Sequence, residues 1–190
     1  MSSPRTDTAL VVIDVQESFR HRPYWDATDV PAFLASLQRL IDGAVQRGIP
    51  VLQVLHVEDT GAFSLASGNV VALSGLQIAP AAVFHKRCHS AIVGSGLDVW
   101  LTRAGVRRLI VSGIRTEQCC ETTTRHASDL GYQVDFVTEA TLTFAMTDRN
   151  GRVWPPSEIR AATELVLDQR FARIADVATA LEGPASRPAA

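Results

Sequence analysis

Short apolar runs alternate along this chain with longer segments whose apolar residues recur every three or four positions. That is the pattern of strands alternating with helices. Ala9-Leu10-Val11-Val12-Ile13 is continuously apolar and ends at Asp14, as expected for a strand buried on both faces. Phe33, Leu34, Leu37, Leu40, Ile41, Ala44 and Val45 fall on one helical face, so Pro31 to Gly48 reads as an amphipathic helix. Pro31 suits its first turn, and Gly48 with Pro50 ends it. The pattern then predicts strands at Val51 to Val57, Ala82 to His85, Arg108 to Val111 and Gln133 to Thr138. Helices are expected over Gly94 to Ala104, with Leu97, Trp100, Leu101 and Ala104 inward, over Glu117 to Leu130, and over Ser157 to Arg170. A short last strand at Ala172 to Ala175 and a small helix to about Leu181 precede a Pro/Ala/Ser-rich tail, Gly183 to Ala190, expected to fray. Strands alternating with helices predict an α/β fold with a parallel sheet. The longest irregular stretches, Glu58 to Pro80 and Thr141 to Pro156, both follow predicted strands. Ligands of open α/β sheets bind at the strands' carboxyl ends, so these loops are candidate pocket walls.

Composition narrows the class. A length of 190 residues with 46% hydrophobic residues suits one domain, residues 1–190, with a sizeable core. Eighteen basic and twenty acidic residues leave a net charge of -2 with no basic block. This gives no support for nucleic-acid or membrane-surface partners. The polar start, Met1 to Asp7, lacks the apolar core of a signal peptide, and no apolar run is long enough to span a bilayer. Three cysteines, two of them adjacent, do not make a disulfide framework and suggest a reducing, cytoplasmic setting.

Candidate chemistry gathers at predicted strand ends. Cys119 sits where the Arg108 to Val111 strand passes into a helix. Unpaired first-turn amides and the helix dipole favour a thiolate there, although a small buried packing residue fits the same place. Asp14 closes the first strand and Lys86 the third, so the topology would bring an acid, a cation and a thiol to one edge. Taken singly, Asp14 could be a turn former and Lys86 a surface lysine. Cys120 is expected in the core and Cys88 in a structural role. His85 and His89 are four apart but on an extended segment, which disfavours a metal site. Phe19, Trp25, His56, Phe63, Arg115 and Trp154 lie in or beside the active-edge loops and are candidate pocket residues, with core or interface anchoring as the alternative. Asp148-Arg149-Asn150-Gly151 reads as a turn.

Three separated motifs then carry a resemblance. They are Val11-Val12-Ile13-Asp14-Val15-Gln16 with Phe19; Lys86 with Ser90-Ala91; and Gly113-Ile114-Arg115-Thr116-Glu117-Gln118-Cys119, followed by Thr123, Ala127 and Gly131-Tyr132. The chain resembles the isochorismatase-like cysteine hydrolases, a family that includes nicotinamidases, N-carbamoylsarcosine amidohydrolase and streptothricin hydrolase. The similarity runs from about Thr8 to about Leu181. It implies a three-layer α-β-α, Rossmann-like doubly wound fold with a six-stranded parallel sheet. It also implies that Cys119 attacks a carbonyl or amidine carbon, that Asp14 is the general base, and that Lys86 organises the charge of both. A cis peptide is implied at Ile114–Arg115, with the backbone N–H groups of Arg115 and Cys119 forming an oxyanion hole. The chain departs from the family pattern at Cys120, often valine, and at His126, often acidic. The region Val54-Leu55-His56-Val57-Glu58-Asp59 does not match the metal motif of nicotinamidases, which argues for no metal, no cofactor and a substrate other than nicotinamide.

The expectation is a hydrolase of a small amide, ureido or lactam C–N bond working through a thioester-type intermediate. The alternatives are a vinyl-ether hydrolase of the isochorismatase type and a non-catalytic binding member. A nucleotide-binding protein is disfavoured because Asp14-Val15-Gln16-Glu17 stands where a Gly-rich fingerprint would follow the first strand. The partners implied are a small-molecule substrate and further copies of the chain, as a dimer or larger.

Overall fold

The structure, a computed structural model, describes residues 6–183. The expected fraying from 184 onward and the first five residues lie outside this range. Strands β1 (Thr8–Ile13), β2 (Val51–His56), β3 (Ala82–Lys86), β4 (Arg108–Ile114), β5 (Gln133–Leu142) and β8 (Arg173–Ile174) form one parallel sheet in the order β3-β2-β1-β4-β5-β8. The strand β1 is buried throughout, and its residues alternate between two cores as the pleat requires. Leu10 and Val12 pack with helix α1 (Val30–Gln46) and helix α5 (Val177–Glu182) on one face. Ala9, Val11 and Ile13 pack on the other face with α2 (Leu97–Ala104), α3 (Glu121–Asp129) and the end of α4 (Pro156–Leu167). The fully buried Leu37 and Leu40 of α1 each contribute roughly 1.5–3 kcal/mol by leaving water.

The chain starts in the middle of the sheet, winds outward through β2 and β3, and returns past β1 to β4. The connections therefore diverge at the carboxyl ends of β1 and β4, and a crevice opens where they part. Asp14 directly follows β1, and Arg115 directly follows β4.

The structure departs from the sequence reading where backbone geometry overrides periodicity. Helix α2 starts at Leu97 rather than at residue 94, because Gly94 and Gly96 take left-handed conformations (φ 67 and 82°). Helix α4 stops at Leu167, and Gln169, at φ 57°, turns the chain toward β8. Strand β4 runs on to Ile114, and β5 to Leu142 across an irregularity. Val111 pairs with Phe136, but Gly113 pairs with Thr141. The segment expected to enter a helix at Glu117 instead forms one π-helical turn, Thr116–Cys120, before α3 begins. The stretch 141–156, expected to be irregular, holds an antiparallel hairpin of β6 (Met146–Thr147) and β7 (Val153–Trp154) around the Asp148 to Gly151 turn. Among the described residues no helix is long and apolar enough to cross a membrane.

Candidate active site

Two backbone features shape the crevice. Asp14 leaves β1 in the left-handed region, at φ 55°, while its N–H still donates to Val54 O at 2.7 Å. Aspartate is among the few side chains that enter this region at modest cost. Opposite it, Gly113 has φ 131°, and a Cβ there would stand 2.0 Å from Ile13 O. Only glycine lets β4 approach β1 this closely. The sequence pattern ends this strand at Val111, so it does not predict the close approach at Gly113.

Three strand ends bring their side chains to one buried cluster. Lys86 Nζ lies 2.7 Å from Asp14 Oδ2 and donates to Cys119 Sγ at 3.3 Å. It also donates to Cys88 O at 3.0 Å and stands 3.2 Å from His56 Nδ1. Asp14 and Lys86 are almost wholly buried, and Cys119 is 8% exposed. The Asp14–Lys86 contact is close but poorly aligned, so neither Asp14 oxygen has a well-formed hydrogen bond. Burial raises the Asp14 carboxyl above its usual range, against the pull of Lys86. For Lys86, burial acts to lower the ammonium, but Asp14 and Cys119 outweigh it and the pKa ends above its usual value. Burial first, and then the Asp14 carboxylate, push the Cys119 thiol up to about 12, against the opposing effect of Lys86. The expectation of a helix-activated thiolate is therefore corrected. Loss of solvent and a neighbouring carboxylate both act against the thiolate there.

The π-helical turn holds that sulfur. Its hydrogen bonds run from Gln118 N and Cys120 N to Arg115 O, and from Glu121 N to Thr116 O. The Ile114–Arg115 peptide bond is cis. Thr123 Oγ1 donates to Cys119 O at 2.6 Å and accepts from Ala91 N at 2.9 Å, which ties the loop after Lys86 to the nucleophile's turn. Ser90 Oγ adds a contact of 2.9 Å to His126 Nδ1. These bonds give physical meaning to the Ser90-Ala91 and Thr123 elements of the motifs.

The candidate pocket residues divide. Phe63 packs edge-on against Phe19 (centroids 5.1 Å) and against His56 (5.8 Å), so Phe63 backs the imidazole and Phe19 backs Phe63. Trp25 packs on Phe144 at 5.3 Å. The guanidinium of Arg115 lies 4.7 Å from the Tyr24 ring and 5.9 Å from Phe144, with Nη2 2.8 Å from Glu117 Oε1. Glu117 Oε2 accepts from Thr143 Oγ1 at 2.6 Å. Tyr24, Phe144 and Glu117 were not among the sequence candidates. Trp154 is placed differently from the expectation. Its Nε1 donates to Asp148 Oδ2 at 3.2 Å and Arg152 covers its ring at 4.0 Å, both within its own hairpin. It lines a cavity of about 350 Å³ with Glu117, Met146 and Ile159, on the α4 side of the nucleophile's turn. The hairpin accounts for this, because it folds β7 back over α4. Cys120 is fully buried in the core, as expected.

The Lys86 ammonium faces His56 Nδ1 at 3.2 Å, and Nε2 faces Glu58 Oε1 at 3.8 Å. Among the described residues no three His, Cys, Asp or Glu side chains gather in a metal-binding group.

Known proteins match this architecture. The family model described as the isochorismatase domain matches residues 8–178. Nicotinamidase 3 of Arabidopsis thaliana is 30% identical over 152 residues, covering 72% of this chain and 73% of that protein. The isochorismatase family protein YrdC of Bacillus subtilis is 23% identical over 169 residues, covering 87% and 90%. The crystal structure of a hydrolase of the isochorismatase family from Chromobacterium violaceum superposes with a TM-score of 0.84 at 26% identity, covering 96% of this chain and 97% of that one. Matched over residues 8–178 by that family model, the chain belongs to the isochorismatase family of hydrolases.

Proposed function

We propose that this protein is a cysteine-dependent hydrolase of a small amide, ureido or lactam C–N bond. The observation that carries the reading is the buried cluster in which Lys86 Nζ stands 2.7 Å from Asp14 and 3.3 Å from Cys119 Sγ at the sheet's crevice. A thiol with a pKa near 12 is a poor nucleophile by itself. Beside a carboxylate with spare acceptor capacity, it can lose its proton as it attacks.

Cys119 Sγ adds to the substrate carbonyl carbon while Asp14 takes the thiol proton. The carbonyl π electrons move to oxygen, and the N–H groups of Arg115 and Cys119 stabilise the oxyanion. Collapse of the adduct expels the amine, which takes the proton from Asp14 and leaves a thioester on Cys119. Water then attacks the thioester carbonyl with Asp14 again as base, and the thiol and a carboxylic acid are released. Throughout, Lys86 keeps Asp14 ionised at rest and offsets negative charge on sulfur.

Only a sliver of Cys119 is exposed, which suits a small substrate. The relative Nicotinamidase 3 supports C–N chemistry, whereas the mismatch of Val54 to Asp59 with the nicotinamidase metal motif argues against nicotinamide itself. The test is ammonia or amine release from a panel of small amides, ureides and lactams by the wild type and by Cys119→Ala. Turnover that Cys119→Ala abolishes supports the reading. Turnover that survives the substitution, or a vinyl ether that Cys119→Ala hydrolyses when its carbonyl product is assayed separately, would move the assignment to hydrolysis that needs no thiol.

A further inference from the structure

His56 touches Lys86 but has no part in the steps above. Its backbone is clamped by Gln16, whose Oε1 accepts from His56 N at 2.7 Å and whose Nε2 donates to His56 O at 3.1 Å. Gln16 is itself fully buried and donates to Ser18 Oγ at 2.9 Å. The ring is braced edge-on by Phe63. A clamp at both backbone atoms and a packed ring leave the imidazole little freedom, and Nδ1 faces the ammonium at 3.2 Å. An ammonium can only donate, so Nδ1 must accept and the ring proton must sit on Nε2. Nε2 faces Glu58 Oε1 at 3.8 Å, and Arg22 Nη2 holds that carboxylate at 2.5 Å. The carboxylate favours the Nε2–H tautomer, as outer carboxylates do for ligating histidines. The groups that charge the surroundings of His56 are Lys86, Glu58, His89 and Arg22. Burial and Lys86 hold its pKa down to about 4, so the ring is neutral at neutral pH.

We propose that His56 is a positioning residue, whose Nδ1, held as an acceptor by Glu58, takes one N–H of Lys86 and so fixes how the ammonium is oriented beside Asp14 and Cys119. Lys86 has three protons and four neighbouring acceptors: Asp14 Oδ2, Cys119 Sγ, Cys88 O and His56 Nδ1. Cys88 O and His56 Nδ1 are the two of these acceptors that take no part in the proposed steps. Without Nδ1 the three protons are left with Asp14 Oδ2, Cys119 Sγ and Cys88 O, and the ammonium is free to turn among them. The proposal rests on the reading of Lys86 as charge partner of the nucleophile, so its test uses thiol chemistry that needs no substrate.

The experiment is iodoacetamide alkylation at pH 6 to 10, with the Cys119 peptide followed by mass spectrometry. The proteins are the wild type, His56→Leu, His56→Asn and Glu58→Ala. Loss of the acceptor should slow Cys119 alkylation at pH 8 about tenfold and move the pH profile upward in His56→Leu. His56→Asn, whose Oδ1 stands where Nδ1 was, should stay within about twofold of the wild type. Glu58→Ala, which loses only the tautomer control, should slow it about threefold. An unchanged His56→Leu overturns the proposal, as does a His56→Asn as slow as His56→Leu. Should His56→Leu not fold, Glu58→Ala decides alone, and an unchanged rate overturns it. Amide turnover is read separately. A thiol that responds as described in a protein with no amide turnover upholds this inference and overturns the proposed function.

Discussion

Replacing Asp14 by Asn should make Cys119 easier to ionise and at the same time disable hydrolysis. The thiol stands at about 12 against an ordinary 9.0. That difference corresponds to about 4 kcal/mol against the thiolate. Burial contributes most of it, and the Asp14 carboxylate is the next largest contributor. Asparagine keeps the shape and removes the charge, while Lys86 stays beside the sulfur. Recovering even a third of the difference raises the thiolate population at pH 8 about tenfold. Iodoacetamide labelling of the Cys119 peptide should therefore speed up about tenfold. Hydrolysis should move the other way, because Asn cannot take the proton. Loss of a general base costs about 10²–10⁴ in rate, so kcat/KM for an amide should fall at least about 100-fold. An enzyme working through a preformed thiolate would gain in both assays or lose in both. Parallel slowing of labelling and hydrolysis would show that Asp14 supports the thiolate instead of serving as its base, and would refute the reasoning.

Other perturbations probe the frame around the site. Lys86→Met leaves the buried Asp14 charge without its cation, so urea unfolding should show a loss of roughly 3–5 kcal/mol, and the Asp14→Asn/Lys86→Met pair should recover most of it without recovering activity. Gly113→Ala drives a Cβ into Ile13 O and should cost at least about 3 kcal/mol by the same assay, with little folded protein the extreme outcome and wild-type stability the contradicting one. Cys120→Ala removes only core packing, so it should cost about 1 kcal/mol and leave amide turnover within a few-fold of the wild type. Leu165 of α4 is 81% exposed, with Val166 and Val153 also exposed. If exposed Leu165 joins copies of the chain, light scattering should give a dimer or larger for the wild type and a smaller mass for Leu165→Asp.

Much of this architecture was legible in the sequence because parallel strands and amphipathic helices leave strong periodic signals. The run from Ala9 to Ile13 and the apolar face from Phe33 to Val45 each fixed an element within a few residues. The order of the motifs was enough to expect Asp14, Lys86 and Cys119 together. What escaped depends on tertiary geometry. The pairing of Gly113 with Thr141 needs the β5 irregularity, which no local pattern encodes. The hairpin at Met146–Thr147 and Val153–Trp154 has strands of two residues, too short to show alternation, and it carried Trp154 away from its expected place. The state of Cys119 was misread because a position at a helix start is visible in sequence, whereas burial beside a carboxylate is not. The contact between His56 and Lys86 spans thirty residues and appears only once β2 and β3 are paired.

The central claim is a covalent bond between Cys119 and the acyl part of the substrate. The most direct test is to mix the enzyme with the best amide from the panel, quench in acid within milliseconds to seconds, and map the peptides by mass spectrometry. The account predicts the acyl mass on Cys119, absent from Cys88 and Cys120, and discharged by hydroxylamine as a thioester would be. Multiple turnovers with no acyl mass on Cys119 at any time, together with activity retained in Cys119→Ala, would contradict it.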